Sequence, residues 1–63
     1  MQAIDELKID IRRKKILDIL HTEGQVRVST LGEVLGVSFV IIRNNLTALE
    51  ADGFLQRTQG GAI

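Results

Sequence analysis

Hydrophobic positions change their spacing along the 63-residue chain, and glycines separate the segments. The first segment carries a helical stripe of aliphatic side chains, Ile16, Leu17 and Leu20. Asp10 is placed to cap the start of this helix, and Gly24 lies where a helix commonly ends. Residues 1–9 fit both a helical and an alternating spacing, so we expect an N-terminal arm or a helical extension there, ahead of a domain over residues 10–63.

The second segment predicts a short strand followed by a short helix. Residues 25–28 alternate between polar and apolar side chains, as in a half-buried strand. Ser29 or Thr30 then offers a hydroxyl cap for a helix of about two turns. Gly32 inside that helix costs about 1 kcal/mol relative to alanine, so tertiary packing has to stabilise it.

The third segment predicts a longer helix and a hairpin. Ser38 caps a helix that we expect over residues 39–52, and its aliphatic positions form one buried stripe. Residues 54–58 predict a strand, residues 59–61 a turn, and residues 62–63 begin a return strand.

These elements predict a fold that is mostly α with a small β-hairpin. Two short helices joined by a glycine-containing turn form a helix-turn-helix unit, and a hairpin after it makes a three-helix winged helix-turn-helix. Each apolar stripe needs the others to cover it, so we expect one core. Its predicted members are Ile16, Leu17, Leu20, Leu31, Val34, Leu35, Ile42, Leu46, Leu49 and Leu55.

Length and composition narrow the class of protein. A chain of this length has room for one domain, and without cysteine it has neither disulfides nor a thiolate metal site. Apolar residues make up 44% and charged residues 25%, which is ordinary for a globular domain. No apolar run approaches the ~20 residues of a membrane span, and the acidic N-terminus is unlike a signal peptide. We therefore expect a cytoplasmic protein that has no membrane partner.

The charge is unevenly distributed along the chain. The total is zero, but residues 1–10 have three acids and one base, whereas residues 11–63 have seven bases and five acids. Four consecutive bases occupy residues 12–15. Such a chain can present a basic face to nucleic acid, although charge alone favours a solvated helix surface as the explanation of this run.

Three stretches of the chain resemble the N-terminal domain of the DeoR family of transcriptional regulators. Residues 37–46 are similar to its recognition segment, roughly V-S-x-x-T-I-R-R-D-L. Residues 49–62 are similar to the run L-E-x-x-G-x-L-x-R-x-H-G-G-A, and residues 12–20 to the opening helix R-x-x-x-I-L-x-x-L. The resemblance extends over residues 12–63 without gaps.

The chain departs from the family pattern at five positions. The family's threonine is Ile41 here, its second arginine is Asn44 and its aspartate is Asn45. Its wing histidine is Gln59, and its serine ahead of the second helix is Arg27. These departures concern DNA affinity and the sequence recognised, rather than the fold.

The resemblance implies a regulator that binds double-stranded DNA, usually a repressor of carbohydrate metabolism genes. Family members carry a larger C-terminal domain that senses a sugar phosphate or a related metabolite. Because this chain stops at Ile63, we interpret it as an N-terminal fragment in which that effector would act only through the missing domain. The oligomeric state stays open, with a homo-oligomer of the full-length protein as one arrangement.

Two polar residues on the third helix are candidates for base recognition. Arg43 follows the buried stripe by one position and points outward, where it could pair with guanine or hold a phosphate. Asn44 could pair with adenine, or simply fill a polar position.

The third helix also begins with three apolar residues. Phe39 and Val40 are interpreted as facing the groove, where they could contact thymine methyl groups, and Ile41 as mostly buried. Contact of this apolar start with a partner protein is the alternative, because exposed apolar runs suggest interfaces.

The remaining candidates are polar groups suited to the DNA backbone. Ser38, Ser29 and Thr30 lie at helix starts that can bind phosphate, and Thr47 lies one turn beyond Arg43. Arg57 and Gln59 lie on the predicted wing.

Two function classes compete with DNA binding. The first is a winged-helix module that binds protein through Phe39 and Val40. The second, an enzyme, is disfavoured because no nucleophile–base pair or paired carboxylates are assembled, and the sequence indicates no metal or cofactor.

Overall fold

The computed structural model describes the backbone of residues 2–63 and the side chains of residues 10–63. These residues form three helices and three short strands: α1 Gln2–Glu23, β1 Val26–Arg27, α2 Val28–Leu35, α3 Phe39–Ala51, β2 Arg57–Thr58 and β3 Gly61–Ala62. The predicted winged helix-turn-helix fold, mostly α with a small hairpin, is confirmed. Whether residues 1–9 act as an arm or a helical extension depends on side chains outside this described part, and that question stays a prediction.

Two predicted helix starts are wrong. Asp10 lies inside α1 rather than at its beginning, so it has no free helix end to cap. Helix α2 begins at Val28, with Arg27 as an extended N-cap that makes no side-chain capping bond. The Val28 N–H instead donates to the Gly60 carbonyl at 2.8 Å. The wing therefore accepts a hydrogen bond from the first N–H of α2. Ser29 and Thr30 lie within the first turn of this helix, not ahead of it.

Helix α3 begins and ends close to the predicted positions. The Ser38 hydroxyl accepts a hydrogen bond from the Ile41 N–H at 3.3 Å, which confirms the predicted cap. Gly36 ends α2 in a left-handed conformation with φ +68°, and the axes of α2 and α3 are bent by 112°. That angle is typical of a helix-turn-helix unit.

The three strands form one antiparallel sheet in the order β1-β3-β2. Ala62 of β3 is paired with Val26 on one side and Arg57 on the other, so β3 attaches the wing to the helices. The strand predicted over residues 54–58 is shorter than expected. Phe54 lies beyond α3 but closes its C-terminal end, because its N–H donates to the Leu49 carbonyl at 2.9 Å.

The core lies between the three helices and the sheet. Its buried members include five of the ten predicted residues: Ile16, Leu31, Ile42, Leu46 and Leu49. Four others are half-buried and pack against them: Leu17, Leu20, Leu35 and Leu55. The sequence analysis missed Val26, Val28 and Ala62, which are buried where the sheet meets the helices.

Val34 was wrongly placed in the core, because it is 62% exposed. Helix α2 buries Val28, Leu31 and Gly32. Val34 precedes the half-buried Leu35 by about 100° around the helix, which turns its side chain away from this face.

Gly32 allows α2 and the start of α3 to pack closely. A Cβ at Gly32 would come within 2.8 Å of the Phe39 ring and 3.2 Å of the Val37 carbonyl oxygen. This contact explains a glycine in the interior of α2, despite its low helix propensity.

Candidate nucleic-acid interface

The outward face of α3 presents a continuous row of exposed side chains. Ile42, Asn45, Leu46 and Leu49 point into the molecule. The opposite side of the helix carries the exposed residues Val40, Arg43, Asn44 and Thr47. The four predicted site residues on this face are therefore brought together, and all are accessible to a ligand.

The apolar start of α3 is exposed over three consecutive residues. Phe39 is 48% and Val40 61% exposed, and one edge of the Phe39 ring packs over Gly32. Ile41 is 38% exposed, so the prediction that it is mostly buried is wrong. It precedes Ile42 by about 100° and therefore lies at the edge of the buried face rather than at its centre.

Arg57 of the wing is bonded directly to α3. Its terminal nitrogen Nη1 donates to the Thr47 hydroxyl at 2.9 Å, and its backbone N–H donates to Glu50 Oε2 at 2.8 Å. The Thr47 hydroxyl in turn donates to the Arg43 carbonyl at 2.9 Å. These bonds place the Arg57 guanidinium beside the outward face of α3, where a wing residue adds its charge to that of Arg43.

The other predicted polar residues fall into separate regions. Ser38 is occupied as the cap of α3. Ser29 and Gln59 line one shallow groove of about 420 Å³, between the start of α2 and the wing turn. Thr30 lines a different groove, with Glu23 among its other residues. The predicted set is thus one cluster on α3 and the wing, together with isolated positions around α2.

A contact between α1 and α3 was not found from sequence. Arg13 Nε donates to Asn45 Oδ1 at 3.3 Å, and the Asn45 side chain is only 5% exposed. The two residues are 32 positions apart, so no local spacing indicates the pair. The run of bases at residues 12–15 indicated positive charge on α1, but it did not indicate which of these side chains faces α3.

Neither a metal-binding cluster nor a single membrane-spanning helix is found among the described residues. Within residues 10–63 no group of three or more His, Asp and Glu side chains is arranged to hold a metal ion. In the same part of the chain, no single helix has the length and apolar character to cross a membrane.

Comparison with known families gives one match that spans most of the chain. The sequence model of the DeoR-like helix-turn-helix domain matches residues 12–63. This region contains α2, α3 and the whole sheet, and it coincides with the resemblance identified from the motifs.

Comparison with curated proteins gives relatives that are named as regulators. The lactose phosphotransferase system repressor of Lactococcus lactis subsp. lactis is 45% identical over 51 residues, 81% of this chain and 20% of that protein. A putative aga operon transcriptional repressor of Escherichia coli O157:H7 is 44% identical over 52 residues, 82% of this chain and 19% of that protein. The HTH-type transcriptional regulator GolR of Listeria innocua is 38% identical over 52 residues, 82% of this chain and 20% of that protein.

The chain spans about a fifth of the length of these relatives. No solved structure gives a significant match.

Proposed function

Since the chain belongs to the DeoR-like helix-turn-helix family, we propose that it is the sequence-specific DNA-binding part of a transcriptional repressor of carbohydrate metabolism genes. The observation that carries this proposal is the outward face of α3, on which Arg43 and Asn44 are exposed. Helix α3 is the second helix of a pair whose axes are bent by 112°, as in a helix-turn-helix unit. Helix-turn-helix proteins lay such a helix in the major groove, with its N-terminal residues against base edges.

In this proposal Arg43 and Asn44 read bases, while the wing holds the backbone. Arginine pairs with guanine O6 and N7, and asparagine with adenine N6 and N7. Phe39 and Val40 supply apolar contact with thymine methyl groups. Arg57, bonded to Thr47, binds a phosphate beside the groove; Ser29, Thr30, Ser38 and Gln59 are further backbone contacts.

The complete regulator is proposed to be longer than this chain, as its relatives are. A sugar-phosphate effector would act through the remaining part, and the full-length protein could place two modules on DNA as a homo-oligomer. The names of two relatives, a lactose phosphotransferase system repressor and an aga operon repressor, support carbohydrate genes as targets. We propose the cytoplasm as the location, where such a regulator meets the genome.

The first test is the salt dependence of duplex binding. If the domain neutralises about 3–5 phosphates, log affinity should fall against log salt concentration with a slope of roughly −3 to −5, because bound cations are released. Fluorescence titration of a labelled duplex at several salt concentrations gives this slope. A duplex affinity that does not change with salt concentration would contradict the proposal. It would support the alternative, a protein-interaction module that uses Phe39 and Val40.

The second test separates base reading from backbone binding. Footprinting with the full-length regulator defines a cognate site. Arg43→Ala should then cost about 1–3 kcal/mol on that site and reduce its margin over random duplex. Arg57→Ala should weaken both duplexes by similar factors. If Arg43→Ala leaves the ratio of the two affinities unchanged in a folded domain, Arg43 does not read bases.

A further inference from the structure

The Asn45 side chain makes two hydrogen bonds, one within α3 and one to α1. Its Nδ2 donates to the Ile41 carbonyl at 2.8 Å. Because an amide nitrogen only donates, this bond turns Oδ1 away from Ile41, and Oδ1 accepts from Arg13 Nε at 3.3 Å. An aspartate could not make both bonds, since it has no N–H for the Ile41 carbonyl.

The Arg13 side chain is therefore positioned by an uncharged partner. Among the described residues, the hydrogen bond between Arg13 and Asn45 uses Nε and neither terminal nitrogen of the guanidinium. Asn45 adds no negative charge beside the guanidinium, whereas a carboxylate at this place would; the acids near Arg13 are Asp10, Asp18 and Asp52, which line a separate cleft with it. A guanidinium held through Nε by a neutral partner still presents the planar donor geometry that suits a phosphate.

Arg13 also lines an open cleft beside the outward face of α3. The cleft has a volume of about 220 Å³, and its walls are Arg12, Arg13, Ile41, Asn44 and Asn45. Among these described residues there are two guanidinium groups and no carboxylate. The cleft thus has the charge of an anion site, and Asn44 joins it to the face proposed to read bases.

An arginine is therefore held on each of two sides of α3. Arg57 is bonded to Thr47 on the side of the wing, and Arg13 is bonded to Asn45 on the side of α1. The major groove is about 12 Å wide, so a helix of about 10–12 Å diameter that lies in it has a phosphate backbone on each side. Cations on both sides of such a helix meet different strands.

We infer that Arg13, positioned by Asn45, binds a backbone phosphate of duplex DNA on the side of α3 opposite the wing. This inference rests on the proposed function, and it adds α1 to the interface. Arg13 contacts the phosphate, and Asn45 acts as its positioning residue.

The test compares two variants that remove one positive charge from adjacent positions. Arg13→Gln removes the guanidinium from the cleft, while Lys14→Gln removes an exposed ammonium that does not line it. Both change the net charge equally, so only a direct phosphate contact distinguishes them. Arg13→Gln should make the salt slope shallower by about 0.9, which is about an eightfold smaller loss of affinity over a tenfold rise in salt. Lys14→Gln should leave the slope near that of the unaltered chain.

Two further variants test charge and positioning. Arg13→Lys keeps the charge and should restore most of the slope. Asn45→Asp puts a carboxylate against Arg13, so it should weaken cognate and random duplexes by the same factor and also flatten the slope. Melting temperature and helical circular dichroism verify the fold of each variant.

The outcomes separate this inference from the proposed function. Equal slopes for Arg13→Gln and Lys14→Gln would overturn the role of Arg13, while salt-dependent binding by the unaltered chain would still support DNA binding. If the unaltered chain binds no duplex, the proposed function and this inference are both contradicted.

Discussion

Gly61 is the residue at which the structure predicts the largest effect of a single added methyl group. A Cβ there would overlap the Val26 carbonyl oxygen, and it would lie 2.9 Å from the Val26 carbonyl carbon and 3.1 Å from the Arg27 Cα. These are backbone atoms of β1, the strand that pairs with β3. No rotamer change relieves the overlap, so Gly61→Ala must separate the two strands.

The free-energy cost of separating β1 from β3 comes from the backbone hydrogen bonds between them and from the buried Val26 side chain. Each lost backbone hydrogen bond costs about 1 kcal/mol. Exposure of the buried Val26 side chain adds about 1.5–3 kcal/mol. With two bonds lost, the free energy of unfolding should fall by about 3.5–5 kcal/mol. A domain of this length has roughly 3–9 kcal/mol in total, so Gly61→Ala should remove a large fraction of its stability.

Urea denaturation followed by far-ultraviolet circular dichroism measures this loss. Gly60→Ala is the matched control, because Gly60 has φ +86° but no atom within 4 Å of its Cβ position. Left-handed backbone at an alanine costs about 1–2 kcal/mol, so Gly60→Ala should destabilise the domain less. If Gly61→Ala has a urea midpoint equal to or above that of Gly60→Ala, the close approach of β1 and β3 is not what requires glycine.

Two other predictions concern the wing and the core. Thr47→Val removes the acceptor of Arg57, so it should weaken binding to cognate and random duplexes alike; Thr22→Val, whose hydroxyl bonds only within α1, should not alter duplex titrations. Leu46→Ala should cost about 2–5 kcal/mol in urea unfolding, because Leu46 is fully buried, whereas Val34→Ala should change stability by under about 0.5 kcal/mol. A larger loss for Val34→Ala would mean that Val34 does belong to the core.

Local patterns in the sequence were enough to predict the elements of this fold and the exposed face of α3. Helical stripes, the Ser38 cap and the glycine breaks depend on residues three or four positions apart, whose geometry the helix itself sets. The same periodicity turns Arg43 away from the buried Ile42. The family could also be identified from sequence, because a motif is compared over a whole segment and does not depend on any single tertiary contact.

Tertiary packing decided the features that depend on how separate elements meet. Arg13 bonds to Asn45 across 32 positions, and Arg57 bonds to Thr47 across the turn between α3 and the wing. Neither pair follows from spacing, because each requires the relative placement of two elements. Ile41 is exposed for a related reason: a single stripe predicts the middle of a buried face, but the edge of that face is set by the neighbouring helix. The sequence therefore determined which residues could face DNA, and packing determined which cations are held beside them.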